Sequence, residues 1–147
     1  MKLEKALFIV KPEAFEVKEA IKDFITRNSK LRIINACSMI LNSSDIESIY
    51  IKDRGTELIE ATKQHFSNRL AEVCIVDGEN AAMNLRKIIG EHFNPDKCSP
   101  TTVRYIFGRQ GAIQYGNVKY FMNAVHKTDP SEVHAALSWF GKKTIMD

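Results

Sequence analysis

The chain has 147 residues, 44% of them hydrophobic and 27% charged; this suits one domain, residues 1–147, that buries roughly 70% of the surface its unfolded form exposes. No apolar run approaches the ~20 residues a bilayer crossing needs, and Ala6–Val10 is too short for a signal-peptide core, so the expectation is a soluble, cytoplasmic protein with no membrane partner. A net charge of +3 is too mild for a nucleic-acid protein but leaves room for a local basic cluster that meets anions.

The predicted elements follow in chain order. Lys5–Val10 is a short β-branched run stopped by Lys11-Pro12 and reads as a buried strand. From Glu13 to Arg27, Phe15, Val17, Ala20, Ile21, Phe24 and Ile25 recur at helical spacing. Arg32–Leu41 lacks that spacing and reads as a second strand, with Asn35 its one awkward residue. Ser44 is placed to cap a helix through Tyr50, and Thr56 one over Glu57–Phe66, since their hydroxyls accept from unpaired amides. Arg69–Val76 reads as a third strand ending at the turn signal Asp77-Gly78, and Asn80–Gly90 as a helix stopped by its glycine. Glu91–Gly116 is irregular and predicts a long, functional surface loop around a short helical turn. Lys119–Val125 reads as a last strand and Pro130–Phe140 as a last helix capped at Asp129. This order predicts an α+β fold of ferredoxin-like βαββαβ type, a four-stranded antiparallel sheet with helices packed on one face.

Few residues suit chemistry. Lys11 stands where a strand ends, a place from which an ammonium holds phosphate as a point charge. Arg86 near the end of a helix and Arg104 in the long loop suit bidentate phosphate contacts. His126 closes an apolar strand beside Thr128 and Asp129 and suits a nucleophile or general acid and base near neutral pH. The four histidines and the scattered Cys37, Cys74 and Cys98 lack metal-ligand spacing, and the thiols read as reduced. Glycine-rich phosphate loops are absent, so a nucleotide would have to be held by side chains.

These pieces resemble the nucleoside diphosphate kinase family, from Phe8-Ile9-Val10-Lys11-Pro12-Glu13-Ala14 through Asp77-Gly78-Glu79-Asn80-Ala81 and Leu85–Gly90 to Asn123-Ala124-Val125-His126 and Leu137-Ser138-Trp139-Phe140. The resemblance implies a homo-oligomer that passes the γ-phosphoryl group of a nucleoside triphosphate to a nucleoside diphosphate, by a ping-pong scheme through a phosphohistidine at His126, with Mg²⁺ bound through the nucleotide phosphates. It also implies that Lys11, Arg86 and Arg104 meet phosphates, that Asn123 meets the ribose and that Tyr50 lies beside the histidine. Nucleic acid is not an expected partner: the strands are poor in the aromatic residues that RNA-binding sheets of this fold use.

The sequence departs from the family pattern near the chemistry. Leu58 falls where the family stacks a phenylalanine on the base. Gly90-Glu91-His92-Phe93-Asn94-Pro95 replaces the phosphate-contacting threonine and adds a residue, with Phe93 a candidate to recover some stacking. Lys127 replaces a small residue, and the glutamate that orients the family's histidine aligns with Ala135, leaving Glu132 or His134 as substitutes. Residues 105–122 carry an insertion, and Glu16-Val17-Lys18 lacks the family's Arg-Gly. These changes support an alternative in which the chain is a slow or inactive nucleotide-binding regulatory module.

Overall fold

The computed structural model describes residues 3–146. Its centre is a sheet ordered β2 (Arg32–Ile40), β3 (Leu70–Glu79), β1 (Leu3–Val10), β6 (Val125–Lys127). Every pairing is antiparallel, and β1 lies between β3 and β6 with Ile9 opposite Val73 on one side and His126 on the other. This is the expected ferredoxin-like order.

Alternation along β1 sends Ala6, Phe8 and Val10 to one core and Leu7 and Ile9 to another. The first core is closed by Ile21 and Ile25 of α1 (Lys18–Asn28), Leu85 and Ile89 of α4 (Ala81–Ile89), and Val103 of α5 (Val103–Phe107). The second is closed by Ile46 and Ile49 of α2 (Ser43–Ile49), Ile59 and Phe66 of α3 (Glu57–Phe66), and Ala136 and Phe140 of α6 (Val133–Met146). Helices therefore cover both faces, because β1 is apolar on both, and the expectation of a single covered face is corrected.

Local chemistry sets the boundaries. Pro12 starts a 3₁₀ turn over Pro12–Val17, so the first α-helix begins five residues later than its periodicity predicts. Asn42 rather than Ser44 caps α2, in a reciprocal pair where Asn42 Oδ1 accepts from the Asp45 amide at 2.8 Å and the Asp45 carboxylate from the Asn42 amide at 2.9 Å. Thr56 caps α3 as expected. Asn35 marks a register shift in β2, and β3 continues through Asp77-Gly78 to Glu79.

The largest difference lies in the second half. The region expected to be a loop around a short helical turn holds such a turn, α5, but also β4 (Ala112–Tyr115), and the predicted strand at 119–125 is two elements. Its first part, β5 (Val118–Phe121), pairs only with β4 in a separate hairpin that the Met122 amide closes on Gly111 O at 3.1 Å. Only Val125–Lys127 joins the main sheet, so His126 sits within β6, not at the end of a longer strand. The break is at Ala124, which has φ 72 and is spanned by a bond from the Val125 amide to Asn123 O at 2.9 Å. That is a γ-turn of the rare, strained sense, costing an alanine about 1–3 kcal/mol.

Candidate active site

The chain around His126 is fixed before any side-chain chemistry begins. The Lys11 amide donates to Ala124 O at 2.8 Å, and Glu13 Oε2 accepts from the Ala124 amide at 3.0 Å, so both polar groups of the strained residue are held by the segment after β1. Beyond His126, the Thr128 hydroxyl accepts from the Leu7 amide at 3.2 Å and its own amide donates to Leu7 O at 3.1 Å. Arg104 braces the other side: Nη2 and Nε donate to Val125 O at 3.0 and 3.3 Å, and Nη1 to His92 O and Gly90 O at 3.1 and 3.3 Å. Gly90 permits this approach, since a β-carbon there would lie 2.9 Å from Cys98 Sγ and 3.3 Å from Arg104 Cβ.

His126 is half-buried and lies against Tyr50, with ring centroids 4.1 Å apart. Burial, reinforced by the charges of Arg104, Lys11 and Lys127, lowers its pKa to about 3, so the imidazole is neutral at physiological pH. Its Nε2 is sealed from solvent without a hydrogen-bond partner among the described residues, as is the Tyr50 hydroxyl, which burial keeps protonated. Neither suggested substitute reaches the ring. Glu132 Oε1 accepts from the Asp129 amide at 3.2 Å, and His134 lines a different groove, between α2 and α6. Packing against Tyr50, not a carboxylate, orients this histidine.

A cavity of about 470 Å³ opens over the ring, within the range of small-molecule sites. Five basic side chains line it, Lys11, Lys52, Arg104, Lys119 and Lys127, against three acidic ones, Asp53, Asp129 and Glu132. Buried Lys11 donates to Asn123 Oδ1 at 3.1 Å and Phe121 O at 3.3 Å and lies 4.2 Å over the Tyr120 ring. Burial lowers its pKa to about 8 against the raising influence of Glu13. Glu13 is held down at about 2, burial being outweighed by Lys11 and His65. Lys127 lies 3.2 Å from Asp129, and Lys52 3.1 Å from the same carboxylate.

The structure thus brings Lys11, Tyr50, Leu58, Arg104, Asn123 and His126 to one cavity. Arg86 stands outside its wall, 3.7 Å from Glu91; its charge adds slightly to the burial that lowers the Lys127 pKa and slightly opposes Asp129, which raises that of Lys52.

The family model for nucleoside diphosphate kinase matches residues 4–145. The chain belongs to the nucleoside diphosphate kinase family. It is 31% identical over 134 residues to nucleoside diphosphate kinase 2 of Protochlamydia amoebophila, covering 90% of this chain and 86% of that protein. The fold is that of the Aquifex aeolicus nucleoside diphosphate kinase (TM-score 0.76, 21% identity, 95% of each chain). It is also that of the Borrelia burgdorferi enzyme solved with vanadate and ADP (TM-score 0.75, 22% identity, 94% of this chain and 86% of that one). With membership comes an enzyme of the kinase class. Among the described residues no helix is long and apolar enough to cross a membrane.

Reading the sequence as a nucleoside diphosphate kinase missed the hairpin's part in the site. Val118, Lys119, Tyr120 and Phe121 of β5 form one wall. Behind it, fully buried His65 of α3 bonds through Nε2 to the Glu13 carboxylate at 2.8 Å and through Nδ1 to the Tyr115 hydroxyl at 3.1 Å, with Tyr120 packed 4.6 Å from its ring. The available signal was three tyrosine and phenylalanine residues close together, Tyr115 in the predicted loop and Tyr120 and Phe121 in the predicted last strand. Lys52 was missed, and Lys127 was noted only as replacing a small residue, because a single lysine is uninformative in sequence.

Proposed function

We propose that the protein transfers the γ-phosphoryl group of a nucleoside triphosphate to a nucleoside diphosphate through a phosphohistidine at His126. One observation carries this reading: a neutral, half-buried imidazole under a cavity whose basic side chains outnumber its acidic ones. A neutral ring has a free electron pair on one nitrogen, and burial of Nε2 leaves Nδ1 to meet the phosphorus. The N–P bond forms as the bond to the β-phosphate oxygen breaks and the diphosphate leaves. In the second half-reaction a terminal oxygen of another diphosphate attacks the same phosphorus and frees the imidazole.

The surrounding cations act by position. Lys11 and Lys127 present positive charge where equatorial phosphoryl oxygens gather negative charge. Arg104 keeps Val125, and hence the neighbouring ring, in place, and its charge favours the neutral imidazole. Asn123, held by Lys11, suits the ribose hydroxyls. Asp129 and Glu132 are engaged by lysines and a backbone amide, a donor set that fits Mg²⁺ arriving on phosphate oxygens. When bound, the ion neutralises charge between adjacent phosphates. The nucleotides named for relatives, ADP in the Borrelia burgdorferi structure and CDP in the Halobacterium salinarum one, belong to the same substrate class.

Incubation with γ-labelled ATP tests the proposal. The expected product is an acid-labile, alkali-stable label on the protein that His126→Ala abolishes; absence of label at high protein concentration overturns it. A second reading, a nucleotide-binding module with slow transfer, is favoured by the unpartnered Nε2 of His126. It requires ADP binding with turnover insensitive to His126→Ala.

A further inference from the structure

We infer that Phe93, braced by Phe121, is the surface on which this protein stacks the nucleobase, in place of aliphatic Leu58; the inference rests on the nucleotide reading above. Phe93 is 60% exposed, yet its ring is held. His92, which is not part of the cavity wall, stacks on it at 4.6 Å and 28°, and Phe121 meets it edge-on at 5.3 Å. Its backbone is held as well, since Phe93 O accepts from Asn123 Nδ2 at 2.9 Å. A large apolar ring fixed in an exposed position at the rim of a cavity is the arrangement that a flat aromatic ligand covers.

The order of groups along the wall matches a nucleotide. The Lys11 ammonium bonds one end of the Asn123 amide and the Phe93 backbone bonds the other. Cation, amide and aromatic ring therefore succeed one another as phosphate, sugar and base do. Leu58, 40% exposed in the first turn of α3, also lines the cavity but has no π-face to offer. A phenyl platform accepts any base, because every base has a π-face. The same side chain would therefore serve donor and acceptor nucleotides that differ in their bases.

Calorimetric titration with ADP and with inorganic tripolyphosphate, which lacks base and sugar, separates the contributions. Wild-type protein should bind both. Phe93→Ala should weaken ADP about tenfold and leave tripolyphosphate within about twofold of wild type, while Phe93→Trp restores ADP affinity. Leu58→Ala should change ADP affinity less than Phe93→Ala does. An unchanged ADP affinity in Phe93→Ala, or equal losses for the two ligands, overturns the platform while leaving the nucleotide reading intact. Failure of the wild-type protein to bind either ligand overturns both.

Discussion

The floor and the rim of the cavity are built on opposite plans. Lys11, Arg104 and Asn123 on the floor are buried, and each bonds backbone or side-chain groups of another element. The rim comes from the first turn of α3, the loop at 91–94 and a hairpin paired only with itself, and it exposes Leu58 and Phe93. Transfer between phosphates is the same for every nucleotide and demands placement within fractions of an ångström, whereas the base needs only a surface. A rigid floor therefore tolerates a loosely held rim. The comparison makes a quantitative demand: floor substitutions should alter transfer by orders of magnitude and rim substitutions by small factors.

The largest expected effect is at His126. His126→Ala should reduce transfer from ATP to a second nucleoside diphosphate by at least about a thousandfold, about 4 kcal/mol of barrier. Next is Arg104→Ala, which strips the carbonyls of Gly90, His92 and Val125 of four donor contacts. Stability should fall by about 3 kcal/mol and transfer by about a hundredfold. Arg104→Lys keeps charge but not the fork and should recover only part of either. Full stability in Arg104→Ala would show that the floor is not braced as described.

Glu13→Gln is predicted to lower kcat about tenfold with KM little changed, an effect of about 1.4 kcal/mol, because Glu13 acts through the Ala124 turn and touches no substrate group. Its ionised form contributes stability above the ordinary carboxylate range that is lost as pH falls from about 4.5 to about 2. His126 adds in the same direction. With a pKa of about 3 when folded and 6.5 ordinarily, the unfolded chain binds more protons between those values, so stability declines on acidification through that window. Urea midpoints of wild type and His126→Asn at pH 7 and pH 5 should diverge, the variant losing less.

What the sequence disclosed follows the range of the forces. The strand before Lys11, the Thr56 cap of α3 and the Gly90 stop were legible because each rests on residues within one or two turns. The hairpin was not, since Tyr115 and Tyr120 are held by His65 and Lys11, distant in the chain. Lys119–Val125 read as one strand for a similar reason. Alanine does not announce a positive φ, and what stabilises it there is a carboxylate 111 residues upstream. Six of the seven candidate site residues meet at the cavity, but the sequence assigned Arg104 to phosphates and was silent on its carbonyl contacts.

A smaller effect probes the floor through Lys11. Lys11 carries its charge below pH 8 and loses it above, so kcat/KM, which reports the free enzyme, should fall on the alkaline side with an apparent pKa of about 8. At pH 8.5 the loss should be roughly fourfold, given a tenfold change in the protonation ratio per pH unit. Lys11→Arg should lower the plateau and remove this limb, since a guanidinium stays charged through the range. A limb that persists in Lys11→Arg assigns it to another group.

The smallest expected effect tests whether the rim is as permissive as its exposure suggests. Leu58→Phe places a ring on α3, across from the hairpin wall. In wild-type background it should strengthen ADP binding by no more than about threefold, because Phe93 already offers the base a face. In Phe93→Ala the same substitution should recover most of the lost affinity. The two positions would then show a coupling that separate, independent contacts do not, since distant non-interacting sites add to within about 0.5 kcal/mol. Strict additivity would mean that the two side chains touch different parts of the ligand, and the base would have to be sought away from one of them.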